Sequence, residues 1–276
     1  MVTSVESFRL SVEAAERYES GFVPALFGEW APVLVDAAGI QPGDHVLDVA
    51  CGTGVVAREA SSRVGGVGGV VGLDLNEAML VVARRIRPDI EWRQGDAAAL
   101  PYEAETFDVV LCQSALMFMP DPAKAMREMA RVVKATGRVA NQVWASREVQ
   151  LGFKPFHDVV TRHAGPDAVD LIGAYWTLGD LRLLTTLCDD AGLRILSTMT
   201  RTGAIRLPSI DDYVTTEVES TPLVDRISPE VYQRIRDEAR LALASLAMDE
   251  GFQMPIVGHV LTAIRSPEHG GFGHRE

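Results

Sequence analysis

The chain of 276 residues is 47% hydrophobic and 23% charged, a balance that suits a folded protein with a sizeable core. A formal net charge of −12 offers no basic surface to the phosphates of nucleic acid or of an anionic membrane, which disfavours a nucleic-acid substrate. Cys51, Cys112 and Cys188 lack the spacing of a zinc site or a disulfide framework. No apolar run reaches the roughly 18 residues that cross a bilayer, so the chain reads as cytosolic, metal-free and without integral membrane contact.

Residues 6–39 read as one or two helices broken near Gly21 and Pro24, with Gly39, Pro42 and Gly43 supplying the stop. Short runs rich in Val, Ile and Leu then alternate with amphipathic segments, the pattern of a parallel sheet covered by helices. Strands are expected over 45–50, 69–75, 90–94, 107–113 and 138–144. Helices are expected over 55–64, over 76–86 with Asn76 as N-cap, and over 121–134 with Asp121 as N-cap and Pro122 in the first turn. Gly65, Gly66, Gly68 and Gly69 follow a helix and precede a strand, which assigns them to a turn.

Beyond residue 145 the rhythm loosens into helical segments near 148–164, 178–191, 209–219 and 228–248, with strand-like runs over 193–207 and 253–264. The whole predicts a doubly wound, Rossmann-like α/β fold. Its seven-stranded, mostly parallel sheet would take its last strand antiparallel. The expected organisation is lid helices over 1–40, a ligand-binding core over 41–147, a cap with the last two strands over 148–265, and a flexible tail over 266–276.

The first strand ends in "VLDVACGTGVVARE", and its "GTGVVA" fits the dinucleotide fingerprint, with Asp74 about 20 residues beyond Gly54. An NAD(P)-linked oxidoreductase is therefore open. Asp48 argues against it: at roughly 4 to 6 Å a carboxylate would repel a pyrophosphate, whereas it would favour the ammonium of S-adenosylmethionine. Asp96, after the third strand, can accept from an adenine amino group.

"VLDVACGTG", "VVGLDLNEAML", "GDAAALPYEAETFDVVLCQSALMF" and "REMARVVKATGRVA" resemble, in order, the motifs of class I S-adenosylmethionine-dependent methyltransferases. The likeness is to the small-molecule branch that includes the ubiquinone/menaquinone-biosynthesis enzymes, and it covers about Asp44 to Ala145. The resemblance implies that Asp48, Ala50, Gly52 and Gly54 hold the methionine moiety and Asp74 the ribose. It likewise places Leu75 and Met79 on the adenine, Asp96 and Ala97 at its amino edge, and Gln113 with Ser114 beneath the sulfonium. Ala135-Thr136-Gly137 stands where relatives have Pro-Gly-Gly, which should alter one turn.

A sulfonium is already an activated methyl donor, so the protein's task is orientation and exclusion of water, and no nucleophilic triad is needed. The segment after the fourth strand lacks the Pro-Pro-aromatic tetrad of amino-methyltransferases, and Met117 and Phe118 suggest an apolar wall. The acceptor then reads as small and largely hydrophobic, attacking through carbon or oxygen. Candidate acceptor residues are Tyr18, Phe22, Phe27 and Trp30 from the lid, Met117, Phe118 and Trp144 from strand ends, and Phe153 and Trp176 from the cap. His157 is the candidate general base, ahead of His163 and His259. A non-catalytic binding protein on the same fold is the third reading, and the protein could be a monomer or a homodimer.

Overall fold

The computed structural model describes residues 10–266. The expected tail falls outside the described residues except for Ser266, as do residues 6–9 of the first expected helix.

The chain opens with α1 (Val12–Ser20), capped by the Ser11 hydroxyl, which accepts from the Ala14 amide at 3.2 Å. A single π-turn over Val23–Phe27 then leads into α2 (Gly28–Ala38). The break expected near Gly21 and Pro24 is thus a widened turn that lets the helical path continue. Gly39, at φ 64°, ends α2 in the left-handed conformation that glycine adopts without strain.

The βα units follow: β1 (His45–Val49), α3 (Val55–Val64), β2 (Gly69–Asp74), α4 (Glu77–Ile86), β3 (Glu91–Gln94), β4 (Phe107–Gln113), α5 (Pro122–Val132) and β5 (Val133–Trp144). Four of the five residues of β1 are buried, as helices on both sheet faces require. Asn76 caps α4 by accepting from the Ala78 amide at 3.0 Å, and Asp121 caps α5 by accepting from Lys124 at 2.8 Å. The buried face of α5 is Ala125, Met126, Met129 and Ala130, a helical repeat.

The second half is α6 (Phe153–His163), α7 (Pro166–Ala174), α8 (Leu181–Asp190), β6 (Leu193–Leu207), α9 (Ile210–Glu219), α10 (Pro229–Ala242), β7 (Ala247–Met248) and β8 (Gly251–Arg265). The sheet runs β3-β2-β1-β4-β5-β8-β6, with β7 paired to the start of β8. The first five strands are mutually parallel, and β8 enters antiparallel between β5 and β6. Seven strands were expected; the eighth is the two-residue β7.

Other boundaries differ for local reasons. The helix expected to reach residue 134 stops at Val132, because Lys134 enters β5 and its ammonium sits 2.8 Å from the Asp108 carboxylate. The altered turn at Ala135-Thr136-Gly137 is an irregularity inside β5. There the register passes from Phe107 opposite Val133 to Val109 opposite Arg138. Gly137 is required at that point, since a Cβ would lie 2.5 Å from the Asp108 carbonyl oxygen. The expected 228–248 helix ends at Ala242 and gives way to a 3-10 turn and β7. Helix α7 was not expected; it begins at Pro166, a residue suited to the first turn of a helix.

Candidate active site

A cavity of about 500 Å³ opens at the C-terminal ends of the parallel strands, walled by α1, the π-turn, strand ends and the cap. This is where an open α/β sheet places its ligand crevice. Ala50, Gly52, Asp74, Leu75, Met79, Asp96, Ala97, Gln113 and Ser114 all line it. So do Tyr18, Phe22, Phe27, Phe118, Trp144, Phe153 and Trp176. Asp48, Gly54, Trp30, Met117 and His157 lie outside the lining.

The glycine turn is held from β2. Asp74 ends that strand, and its two carboxylate oxygens accept from the Gly52 and Asn76 amides, each at 2.8 Å. Ala50 (φ 55°), Gly52 (φ 54°) and Gly54 (φ 90°) give the turn three left-handed residues. Burial raises the Asp74 carboxyl above its ordinary range, against the pull of those amides. Burial likewise pushes Asp48 up to about 8, partly opposed by its bond from the Ala57 amide, while Asp74 raises it further. Two desolvated carboxyl groups at one turn make a site that a cationic ligand would relieve.

The residues outside the lining have packing roles. A Cβ on Gly54 would come within 2.2 Å of the Trp92 ring, so this glycine makes room for the indole of β3. The Trp92 indole in turn donates to the Arg87 carbonyl at 2.8 Å. Trp30 is fully buried, edge-on to Trp144 at 5.3 Å and seated over Gly203 and Gly258, where a Cβ at either glycine would approach its ring to 2.8 Å. Met117 is a core side chain whose carbonyl accepts from the Thr177 hydroxyl at 3.1 Å. His157 packs inside α6 with Nδ1 near the Thr161 hydroxyl at 3.3 Å; burial and then Arg147 lower its pKa. His163 pairs with Glu238, and His259 is held between the Thr200 hydroxyl and the Gly179 carbonyl.

Over the remaining opening the lid aromatics form a continuous run. Tyr18 stacks on Phe27 at 5.3 Å, and Phe27 leans on Trp144 at 6.4 Å. The Gln113 side-chain amide donates to the Phe27 carbonyl at 3.3 Å and ties β4 to this lid. Tyr18 is pushed well above the usual phenol range by burial and then by Asp74. Ser114 takes a left-handed φ of 52° and donates to the Gln142 side chain, so its hydroxyl is committed to the neighbouring strand. Asp96 accepts from the Ala98 amide at 2.8 Å at the far rim.

The cavity also gathers residues that pattern reading passed over, chiefly Tyr175, Leu171 and Glu217 from the cap and Ile205 and Ile256 from β6 and β8. Glu217 is 3% exposed, and burial pushes its carboxyl up to about 8. A signal for it existed: Glu217 follows Tyr213 by four residues, placing a carboxylate on the apolar face of α9.

The model of the methyltransferase domain family matches residues 47–141. The demethylmenaquinone methyltransferase of Renibacterium salmoninarum is 39% identical over 134 residues, 49% of this chain and 54% of that protein. The chain thus spans about half the length of the first curated relatives it matches. The solved structure of a methyltransferase from Bacillus halodurans superposes with a TM-score of 0.61 at 22% identity, covering 86% of this chain and 98% of that one, which shows a shared fold. The ubiquinone/menaquinone biosynthesis C-methyltransferase of Cronobacter sakazakii is 31% identical over 193 residues, 64% of this chain and 76% of that protein. With a relative matched over that share of its length, the chain belongs to the methyltransferase family of the ubiquinone/menaquinone biosynthesis C-methyltransferases.

Proposed function

We propose that the protein transfers a methyl group from S-adenosylmethionine to a small, largely hydrophobic acceptor, at carbon or oxygen. The observation that carries this reading is the Asp74 carboxylate. It is buried, bonded to the Gly52 and Asn76 amides, and joined to an aromatic chamber within one cavity.

The residues present fit that cofactor. Asp74 in the cavity wall, desolvated by burial, suits a cationic sulfonium better than a pyrophosphate, while Asp48 holds the glycine turn from behind. Asp74 would take the ribose, Ala50 and Gly52 the methionine end, Leu75 and Met79 the adenine faces, Asp96 and Ala97 its amino edge, and Gln113 and Ser114 the floor. When bound, the sulfonium supplies an activated methyl group. The chain's own work is to orient the acceptor between Phe27, Phe118, Trp144 and the cap aromatics and to keep water out. Relatives named for demethylmenaquinone and for ubiquinone/menaquinone biosynthesis support an aromatic, quinone-class acceptor. The protein is read as acting in the cytosol; no helix among the described residues is long and apolar enough to cross a membrane.

Calorimetric titration with S-adenosylmethionine, S-adenosylhomocysteine, NAD and NADP tests the reading. Binding of the first two only, weakened by Asp74→Ala, is the expected result. Binding of NAD or NADP instead would replace it with the oxidoreductase reading.

A further inference from the structure

Four carboxylates line the cavity within the described residues, and three of them are spoken for by backbone amides. Asp74 accepts from Gly52 and Asn76, Asp96 from Ala98, and Asp121 from Lys124. Glu217 differs. It projects from α9 on the cap side, it accepts from the Tyr175 hydroxyl and from no backbone amide, and it forms no salt bridge among the described residues. Asp74 and Asp48 both raise Tyr18, whereas Glu217 raises Tyr175 and Tyr213. Asp74 thus stands on the sheet side of the cavity, at the end of β2, and Glu217 on the cap side, in α9. The cavity's one basic wall residue among those described, Lys124, is on α5 beside Asp121.

One phenol uses a single one of the roughly four acceptor sites of a carboxylate, and burying the rest unused among aromatic rings costs stability. The surroundings of Glu217 are Tyr175, against which Phe118 packs edge-on at 5.2 Å and Phe153 at 5.8 Å. Building on the methyltransferase reading, we propose that Glu217 is the residue that selects the acceptor, accepting a hydrogen bond from an aromatic hydroxyl that enters against Tyr175. An ammonium is a poorer fit, because it would set a second cation in the cavity that takes the sulfonium, and a protonated nitrogen has no lone pair to attack with. Burial keeps the carboxyl neutral up to about pH 8, so above that value it acts purely as an acceptor.

The test uses 1-naphthol and 1-methoxynaphthalene, titrated into the protein loaded with S-adenosylhomocysteine above the pH of about 8 at which Glu217 ionises. A hydrogen bond to a charged group predicts that the naphthol binds about tenfold more tightly than its methyl ether. Glu217→Leu should erase the preference, and Glu217→Gln, which keeps an acceptor oxygen, should reduce it. The proposal is overturned by equal affinities, by no binding of the naphthol, by a preference that survives Glu217→Leu, or by tighter binding of 1-naphthylmethylamine. The wild-type comparison decides even where the leucine variant does not fold. Calorimetry with S-adenosylhomocysteine on the same samples separates the two readings: failure to bind it removes the methyltransferase reading, whereas binding it while ignoring the hydroxyl removes the role of Glu217 alone.

Discussion

The Asp48 carboxylate accepts a hydrogen bond from the Ala57 amide at 2.9 Å, linking the end of β1 to the first turn of α3. The side chain is 1% exposed and lies outside the cavity lining, so it supports the glycine turn from behind. Asp48→Asn keeps an acceptor for that amide and should hold S-adenosylmethionine affinity within about threefold, while Asp48→Ala leaves a buried donor unpaired and should cost about 1–3 kcal/mol. Calorimetry and thermal unfolding of the two variants check this; a large affinity loss in Asp48→Asn would mean that the carboxylate meets the cofactor directly.

Gly54 and Trp92 form a second such pair. Alanine at position 54 would place a methyl group against the indole, at a φ of 90° that L-residues rarely adopt. Overpacking and backbone strain together should destabilise Gly54→Ala by about 3 kcal/mol or more. Adding Trp92→Leu should return the steric part of that loss in denaturant titrations, leaving the strain.

His157 is enclosed in α6 away from the cavity, so His157→Ala should leave methyl transfer within about twofold, where loss of a general base would cost 10²-fold or more. Steady-state rates with and without the substitution decide between these.

Glu217 also makes a prediction about pH. Its folded-state pKa of about 8 lies above the ordinary 4.5, so the protonated form is the one that folding favours. The stability this provides is complete below the ordinary value, declines as pH rises between the two, and is gone above about 8. Tyr175 and Tyr213 are the titratable groups facing it, and both stay protonated over that range because burial raises them. Glu217→Gln removes the titration, so its melting temperature should gain on wild type as pH rises from acidic to mildly alkaline. A constant difference across that range would show that Glu217 is not desolvated.

Trp30→Ala should cost about 3–5 kcal/mol, as the loss of a fully buried indole does, and should free the lid segment. Limited proteolysis should then cut between α1 and α2 first, ahead of the sheet.

The parallel half of the sheet was legible because each of its signals is local. Strand runs are short and apolar, Asn76 and Asp121 announce their helices, and Asp74 ends its strand two residues before one of the amides it binds. The cap was harder to read because its meaning lies in contacts distant in sequence. Glu217 meets Tyr175 across 42 positions, and nothing in either segment alone marks the encounter. Gly54 illustrates a different limit. Its spacing matched a ligand-binding fingerprint, yet the atom it accommodates belongs to Trp92, a residue 38 positions later. Aromatic residues were assigned to the chamber by their place on strand ends, lid and cap; Trp30 instead turned inward, because Gly203 and Gly258 left room beneath its indole.

The seat of Trp30 also ties together segments far apart in the chain. Its indole rests on Gly203 in β6 and Gly258 in β8 and stands edge-on to Trp144 in β5, so three strands meet at one side chain of α2. Neither glycine lines the cavity, yet a side chain at either would displace Trp30 and with it the lid segment that walls the site.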